Sequence, residues 1–142
     1  MRKEARRRAG VTVAMREEMR ELHRTVVMCR ADAVYGTVDD ITGWHGYCQH
    51  CANHRMLYVS HIEPKGRVRH MEFDTDNAFA FCYYCHIHWW HKHPREAQEF
   101  RERMLGRLSE ELELRARTGG KPDWFAVLVS LRIAVNDIRH GG

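Results

Sequence analysis

Long hydrophobic runs are absent from this sequence. No apolar stretch approaches the roughly 20 residues that a helix needs to cross a bilayer. The basic start of the chain, Met1–Arg8, also lacks the apolar segment and cleavage site of a secretory signal. No internal repeat or low-complexity tract is present. These absences argue against a membrane partner, and we expect a protein of the cytoplasm.

Isolated cysteines are scarce as well, because four of the five cysteines lie in two Cys-x-x-Cys knuckles. The knuckles are Cys48-x-x-Cys51 and Cys82-x-x-Cys85. In a reducing compartment such pairs favour a metal over a disulfide, since four thiolates complete the tetrahedral shell that zinc prefers. The sequence therefore predicts a structural Zn²⁺ site, and the fifth cysteine, Cys29, is expected to be a buried thiol.

Histidine and charge are unevenly distributed. Nine of the 11 histidines lie between His45 and His93, a density typical of metal or phosphate chemistry. Residues 1–30 carry nine Lys and Arg against four Glu, whereas residues 31–93 carry five basic against seven acidic residues. A basic arm beside an acidic centre suits an enzyme that holds a polyanion and a cation, although a solvated arm without a partner has the same composition.

Apolar spacing predicts helices at both ends of the chain. Residues 13–31 and 95–118 repeat apolar residues at steps of three and four, and the glycines at 119 and 120 would end the second helix. Residues 32–47, with several glycines and aspartates, are predicted to be a loop. A last helix carries an apolar stripe that we expect to pack on the preceding helix or, alternatively, to form a dimer seam. The stripe comprises Trp124, Leu128, Leu131, Val135 and Ile138.

The centre of the chain predicts two strands followed by a helix. Residues 55–60 have strand character and deliver His61 at their end, and a second short strand is expected within residues 67–73 or near 78–81. The chain after Cys85 should be helical. We therefore predict an α+β fold in which a small zinc-stapled ββα core lies between N-terminal and C-terminal helices.

Three segments are expected to form one compact unit. Residues 1–47 would be a basic helical arm and loop, residues 48–94 the zinc-stapled core, and residues 95–142 a C-terminal helical extension.

The motif between the knuckles resembles that of the HNH endonucleases, also called ββα-metal nucleases. Its elements here are Cys48-x-x-Cys51, Ser60-His61-Ile62, Asn77 and Cys82-x-x-Cys85-His86. Within that family the run FDTDNAFAFCYYCHIHWWHKHP, residues 73–94, looks most like phage-encoded HNH proteins of the Rap (NinG) recombination-nuclease type. The resemblance covers about a third of the chain strongly and the C-terminal tail loosely.

The resemblance implies a metal-dependent DNA endonuclease that hydrolyses phosphodiester bonds, with branched or recombination-intermediate phage DNA as substrate and the host-cell cytoplasm as location. His61 would be the general base. Asn77 would fix the loop that orients His61 or ligate the metal through its side-chain oxygen. His86 would be a ligand of one catalytic divalent ion, Mg²⁺ or Mn²⁺, although histidine also accepts Ni²⁺, Co²⁺ or Zn²⁺.

Ser60 departs from the family pattern, in which many members place Asp or His before the first histidine as another metal ligand. Serine is a poor ligand, so the ion would be held by His86 with a further histidine, for which His91 is the candidate, or by an acid from elsewhere. Asp76, one of the nearest acids, is expected to brace the loop. The alternative function is a non-catalytic zinc module with a degenerate HNH site that binds DNA or a protein.

Two basic stretches are candidates to contact duplex or branched DNA. One lies in the loop after His61 and the other lies in the N-terminal arm. A homodimer would suit a junction-cutting enzyme, since two cuts need two active sites. The candidates are Lys65, Arg67 and Arg69 in the loop, and Arg6, Arg7 and Arg8 in the arm.

Overall fold

The computed structural model describes residues 11–141, so the predicted DNA contacts Arg6, Arg7 and Arg8 lie outside the described residues. The fold is α+β, with one antiparallel sheet of strand order β1-β2-β3-β4. The strands are β1 (Val34–Val38), β2 (Ile41–Tyr47), β3 (His54–His61) and β4 (Ala78–Cys82). The α-helices are α1 (Val13–Arg30), α2 (Pro94–Leu105), α3 (Arg107–Thr118) and α4 (Trp124–His140), and a π-helix spans Tyr84–Trp90.

The first helix agrees with its predicted range. Thr12 caps α1, because its hydroxyl accepts a hydrogen bond from the Met15 amide at 3.1 Å. One face of α1 is buried, and it includes Met19, His23 and Val27. The face therefore holds both core residues and one histidine that reaches the candidate site described below.

Residues 32–47 form a β-hairpin, so the predicted loop is wrong. β1 and β2 pair from Val34 opposite His45 to Val38 opposite Ile41. Asp39 and Asp40 form the two-residue turn with φ of 49° and 65°, the positive values that such hairpin turns require. The aspartates that suggested a loop therefore make the turn. In β2, Gly43 leaves room for the Met56 side chain, whose methyl group lies 2.6 Å from the position that a Cβ at residue 43 would take.

The centre of the chain follows the predicted order of strand, strand and helix. β3 ends at His61 as expected, and β4 occupies the second of the two positions considered for the other strand. Residues 69–71 form one turn of 3₁₀ helix instead. β3 and β4 pair antiparallel, with Ser60 opposite Phe79 and His61 opposite Ala78. The π-helix begins two residues after β4 and carries Cys85 and His86.

The predicted long helix of residues 95–118 is two helices. Gly106 separates α2 from α3 with φ 55° and ψ −126°, a conformation that side chains disfavour. The last helix also differs from expectation, because its apolar stripe packs chiefly against α1 rather than against the preceding helix. Leu128 and Leu131 join Met19 of α1 in a small cluster, and Arg132 binds Glu18 through two hydrogen bonds of 2.8 Å.

The main core lies between the sheet, α1 and α2. Phe79 and Phe81 of β4 stack with ring centroids 5.1 Å apart, and Phe100 of α2 meets both rings. Each such ring contributes on the order of 2 kcal/mol when fully buried. Among the helices of residues 11–141, none is long and apolar enough to cross a membrane.

Candidate metal centre and histidine cleft

The four knuckle cysteines converge on one point. The Sγ atoms of Cys48, Cys51, Cys82 and Cys85 all lie within 4.8 Å of one another, and those of Cys51 and Cys82 are 3.8 Å apart. A tetrahedral shell with Zn–S bonds of about 2.3 Å has an edge of about 3.8 Å, whereas a disulfide needs about 2.05 Å. The donor set and spacing therefore fit a structural metal such as zinc, as the sequence predicted.

Backbone hydrogen bonds shape the first knuckle. The Cys48 amide donates to the Asn53 carbonyl at 3.0 Å, and the Ala52 amide donates to the Cys48 carbonyl at 2.9 Å. Ala52 reverses the chain with a φ of 64°. Gln49 then ties the knuckle to β4, since the Ala80 amide donates to its side-chain oxygen at 2.7 Å. These hydrogen bonds fix the first knuckle beside the strand that leads into the second.

His50 supports the four-cysteine site, a role that the sequence did not reveal. Its Nδ1 lies 3.2 Å from the Cys85 Sγ, and its ring stacks on Trp89 with centroids 3.4 Å apart. Burial raises the pKa of the Cys85 thiol, and a bound cation would favour its thiolate form. An Nδ1–H of His50 would stabilise that thiolate by donating to it.

His61 stands at the end of β3 with one ring nitrogen committed. Its Nε2 lies 2.8 Å from the backbone carbonyl oxygen of Glu72. A carbonyl only accepts hydrogen bonds, so Nε2 carries the proton and Nδ1 carries the lone pair of the neutral ring. Burial lowers the pKa of His61, which keeps that lone pair free at neutral pH.

His23 of α1 packs against His61. The two rings are stacked, with centroids 5.6 Å apart and planes 9° apart. The Nε2 of His23 bonds to the Asp74 carbonyl at 3.1 Å, and burial lowers its pKa to about 4. A neutral ring therefore supports the His61 ring from the N-terminal helix. Only the helical spacing of His23 with Met19 and Val26 hinted that it is buried.

Asn77 holds the loop between β3 and β4. Its side chain is fully buried, at 0% exposure. Its Oδ1 accepts from the Glu63 amide at 2.6 Å, and its Nδ2 donates to the carbonyls of Glu63 at 3.0 Å and Met71 at 3.2 Å. Of the two roles considered for Asn77, the geometry matches the fixing of the loop.

His86 faces the same cleft from the π-helix. Its Nδ1 lies 2.9 Å from the hydroxyl of the buried Ser60. This hydrogen bond engages Nδ1 and not the second ring nitrogen, Nε2. Burial lowers the pKa of His86, and the nearby His91 lowers it further. The rings of His86 and His91 are 5.5 Å apart between centroids, and His91 is exposed.

The acids near this site are already paired. Arg115 of α3 binds Asp74 at 2.9 Å and Asp76 at 3.0 Å, and Arg30 lies 3.5 Å from Asp76. Asp76 therefore braces the loop, as the sequence predicted. Within residues 11–141, the four cysteines are the one group of three or more potential ligands close enough to share a metal.

A cleft of about 580 Å³ joins these histidines, and we call it the histidine cleft. His23, His61 and His86 line it together with residues of α1 and of the β1–β2 hairpin. A second cleft of about 640 Å³, the loop cleft, lies between α1, the loop after His61 and Trp124. Lys65 lines both clefts and Arg69 lines the second, whereas Arg67 is exposed and lines neither.

No family model, no curated protein and no solved structure matches the chain.

Proposed function

We propose that the chain is a metal-dependent DNA endonuclease of the HNH type that hydrolyses phosphodiester bonds at the histidine cleft. The observation that supports this most is the state of His61. Its Nε2 is tied to the Glu72 carbonyl, so its Nδ1 is a fixed, neutral base in a cleft that it shares with His86. A structural zinc module has no need of such an arrangement.

In this proposal His61 takes a proton from a water molecule that attacks phosphorus. A neutral imidazole does this well near neutral pH, and its lowered pKa keeps it unprotonated. The Glu72 carbonyl and the stacked His23 hold the ring in place. Asn77 acts indirectly, because it fixes both ends of the loop from which the Glu72 carbonyl projects.

His86, with His91 beside it, would hold the catalytic divalent ion. Such an ion, when bound, would polarise the scissile phosphate and offset the charge on the leaving oxygen. Ser60 fits the site as a support for His86, since its hydroxyl bonds Nδ1 and leaves Nε2 as the ligand atom. Within residues 11–141, no third ligand is grouped with His86 and His91. Substrate phosphate would therefore complete the shell of the ion, and the ion would bind only weakly to the protein without DNA.

Cleavage of labelled DNA by the zinc-loaded protein tests this proposal. Linear duplex, nicked duplex and four-way junction DNA would be incubated with Mg²⁺, Mn²⁺, Ni²⁺, Co²⁺, added Zn²⁺ or no added ion. We expect cleavage only with an added divalent ion, and a preference for the junction would support a recombination substrate. Binding of DNA without cleavage by any of these ions would contradict the proposal.

Lys65 and Arg69, the loop cations that line the loop cleft, would hold the DNA backbone in this function. We expect Lys65→Gln with Arg69→Gln to weaken duplex binding and to lower the slope of log K against log salt by about two, at about 0.9 per phosphate contact. Arg67→Gln is the matched control, because Arg67 lies in the same loop but lines neither cleft. Binding titrations at several salt concentrations measure this, and equal slopes for all variants would exclude the assignment.

The second candidate function is a non-catalytic zinc module that binds DNA or a protein. Its support is the small number of ligands near His86, where Ser60 replaces a stronger one. Such a module requires the four cysteines but not His61. A homodimer belongs to the junction-cutting version of the proposal, and sedimentation of the protein with and without junction DNA would test it.

A further inference from the structure

The histidine cleft has a basic side and an aromatic side. Arg20 and Arg24 lie one helical turn apart on α1, and Tyr35 and Trp44 come from the β1–β2 hairpin. Tyr35 and Trp44 are cross-strand partners, and their rings meet edge to face with centroids 5.5 Å apart. Tyr35 is 61% exposed, so much of its ring is available to a ligand.

This combination matches the chemistry of an unpaired nucleic-acid strand. Proteins bind such strands with a positively charged groove along the backbone and aromatic rings on which bases stack. Bases inside a duplex are stacked on one another and cannot reach a ring in a cleft. A cleft of about 580 Å³ is of the size that takes small molecules, which includes a nucleotide but not a duplex.

Two acids, Glu21 and Glu72, also line the histidine cleft, and Glu72 is already paired with Arg16 at 2.7 Å. Glu21 pairs with Arg24 at 2.5 Å, and both side chains are exposed, at 68% and 38%. Exposed ion pairs of this kind contribute little stability, so a phosphate can replace the carboxylate at Arg24. Arg20, on the same face, is exposed and lines both clefts.

We infer that the histidine cleft binds the strand to be cut as unpaired single-stranded DNA, with one base against Tyr35 and the backbone along Arg20 and Arg24. That this strand is also the one cleaved rests on the proposed function, because His61 lines the same cleft. The hairpin thereby acts as a selector for unpaired strands, and the loop cleft remains open to the flanking duplex.

Binding without any catalytic ion tests the selector separately from cleavage. The zinc-loaded chain would be titrated with a fluorescent strand of about 12 nucleotides, within the ~4–16 that comparable sites cover, and with the same strand annealed to its complement. We expect tighter binding of the single strand. Tyr35→Leu should weaken that binding roughly tenfold, as expected for one lost base stack, and should change duplex binding less than about twofold.

Two further variants serve as controls. Tyr35→Phe retains the ring and should bind the single strand like the wild type. Tyr47→Leu removes an exposed tyrosine from the opposite face of the same hairpin, where it lines no part of the histidine cleft, and should change neither affinity. Zinc content and melting temperature would verify that each variant is folded.

Either of two results would contradict the inference that the hairpin selects unpaired strands. One is equal loss of single-strand and duplex affinity in Tyr35→Leu, and the other is a wild type without preference for the single strand. Neither result depends on catalysis, so a protein that fails this test could still cut DNA. Conversely, a protein that prefers the single strand but never cuts would contradict only the proposed function.

Discussion

Replacing His61 with alanine is expected to lower the rate of DNA cleavage about 10²- to 10⁴-fold, the usual contribution of a general base. The side chain makes one hydrogen bond, to the Glu72 carbonyl, and stacks on His23. Its removal should therefore leave zinc content and DNA affinity unchanged. Single-turnover cleavage at saturating enzyme measures the effect.

The matched control is His54→Ala, because His54 lies at the other end of β3 and is exposed. This variant should cleave like the wild type. Cleavage by His61→Ala at the wild-type rate would remove His61 from the mechanism, whereas equal loss in both variants would indicate a structural effect on the strand.

The pH dependence of cleavage gives a second signature of His61. A base works only when it is unprotonated, and burial lowers the pKa of this ring. The rate should therefore be flat near neutral pH and fall about tenfold per pH unit once the pH drops below that lowered pKa. His61→Ala should lose this slope, and a wild-type rate that still rises through neutral pH would require a base with a higher pKa.

Loss of the structural metal is expected to unfold the centre of the chain. Bound zinc contributes about 10–16 kcal/mol in small zinc modules at neutral pH, which matches or exceeds the stability of about 5–15 kcal/mol of a typical domain. The four cysteines join the turn between β2 and β3, the end of β4 and the π-helix. Cys82→Ser should therefore lose the metal and the cooperative thermal transition.

The fifth cysteine provides the control for this prediction. Cys29 lies on α1 outside the four-cysteine group, so Cys29→Ser should keep one zinc per chain and nearly the same melting temperature. Metal analysis and circular dichroism measure both properties. A Cys82→Ser protein that melts like the wild type after verified loss of zinc would show that the sheet and helices hold the centre without the metal.

The sequence predicted the features that depend on local spacing. The knuckles placed four thiols together because each Cys-x-x-Cys turn is short and the β3–β4 pairing brings the two turns side by side. The helical range of α1 followed from apolar periodicity, and the strand that ends at His61 followed from the strand character of residues 55–60. These patterns are read over about ten residues, which is the scale at which helices and strands form.

Contacts between distant segments were not predictable in this way. The stacking of His23 on His61 joins residues 38 positions apart in the sequence, and the packing of α4 on α1 joins the two ends of the described chain. The hairpin of residues 32–47 was missed for a different reason. Its glycines and aspartates are typical of loops, and only the positive φ of Asp39 and Asp40 shows that two of them serve a tight turn.

Hydrolysis in ¹⁸O-labelled water tests the central claim most directly. The zinc-loaded chain would be incubated with Mn²⁺ and DNA that contains a single-stranded segment, and mass spectrometry would identify the new ends. If a water activated by His61 attacks phosphorus, each cut places one ¹⁸O atom in the new terminal phosphate, and His61→Ala yields almost no labelled ends. DNA that stays intact although bound, or labelled ends in equal amounts from both proteins, would contradict the claim.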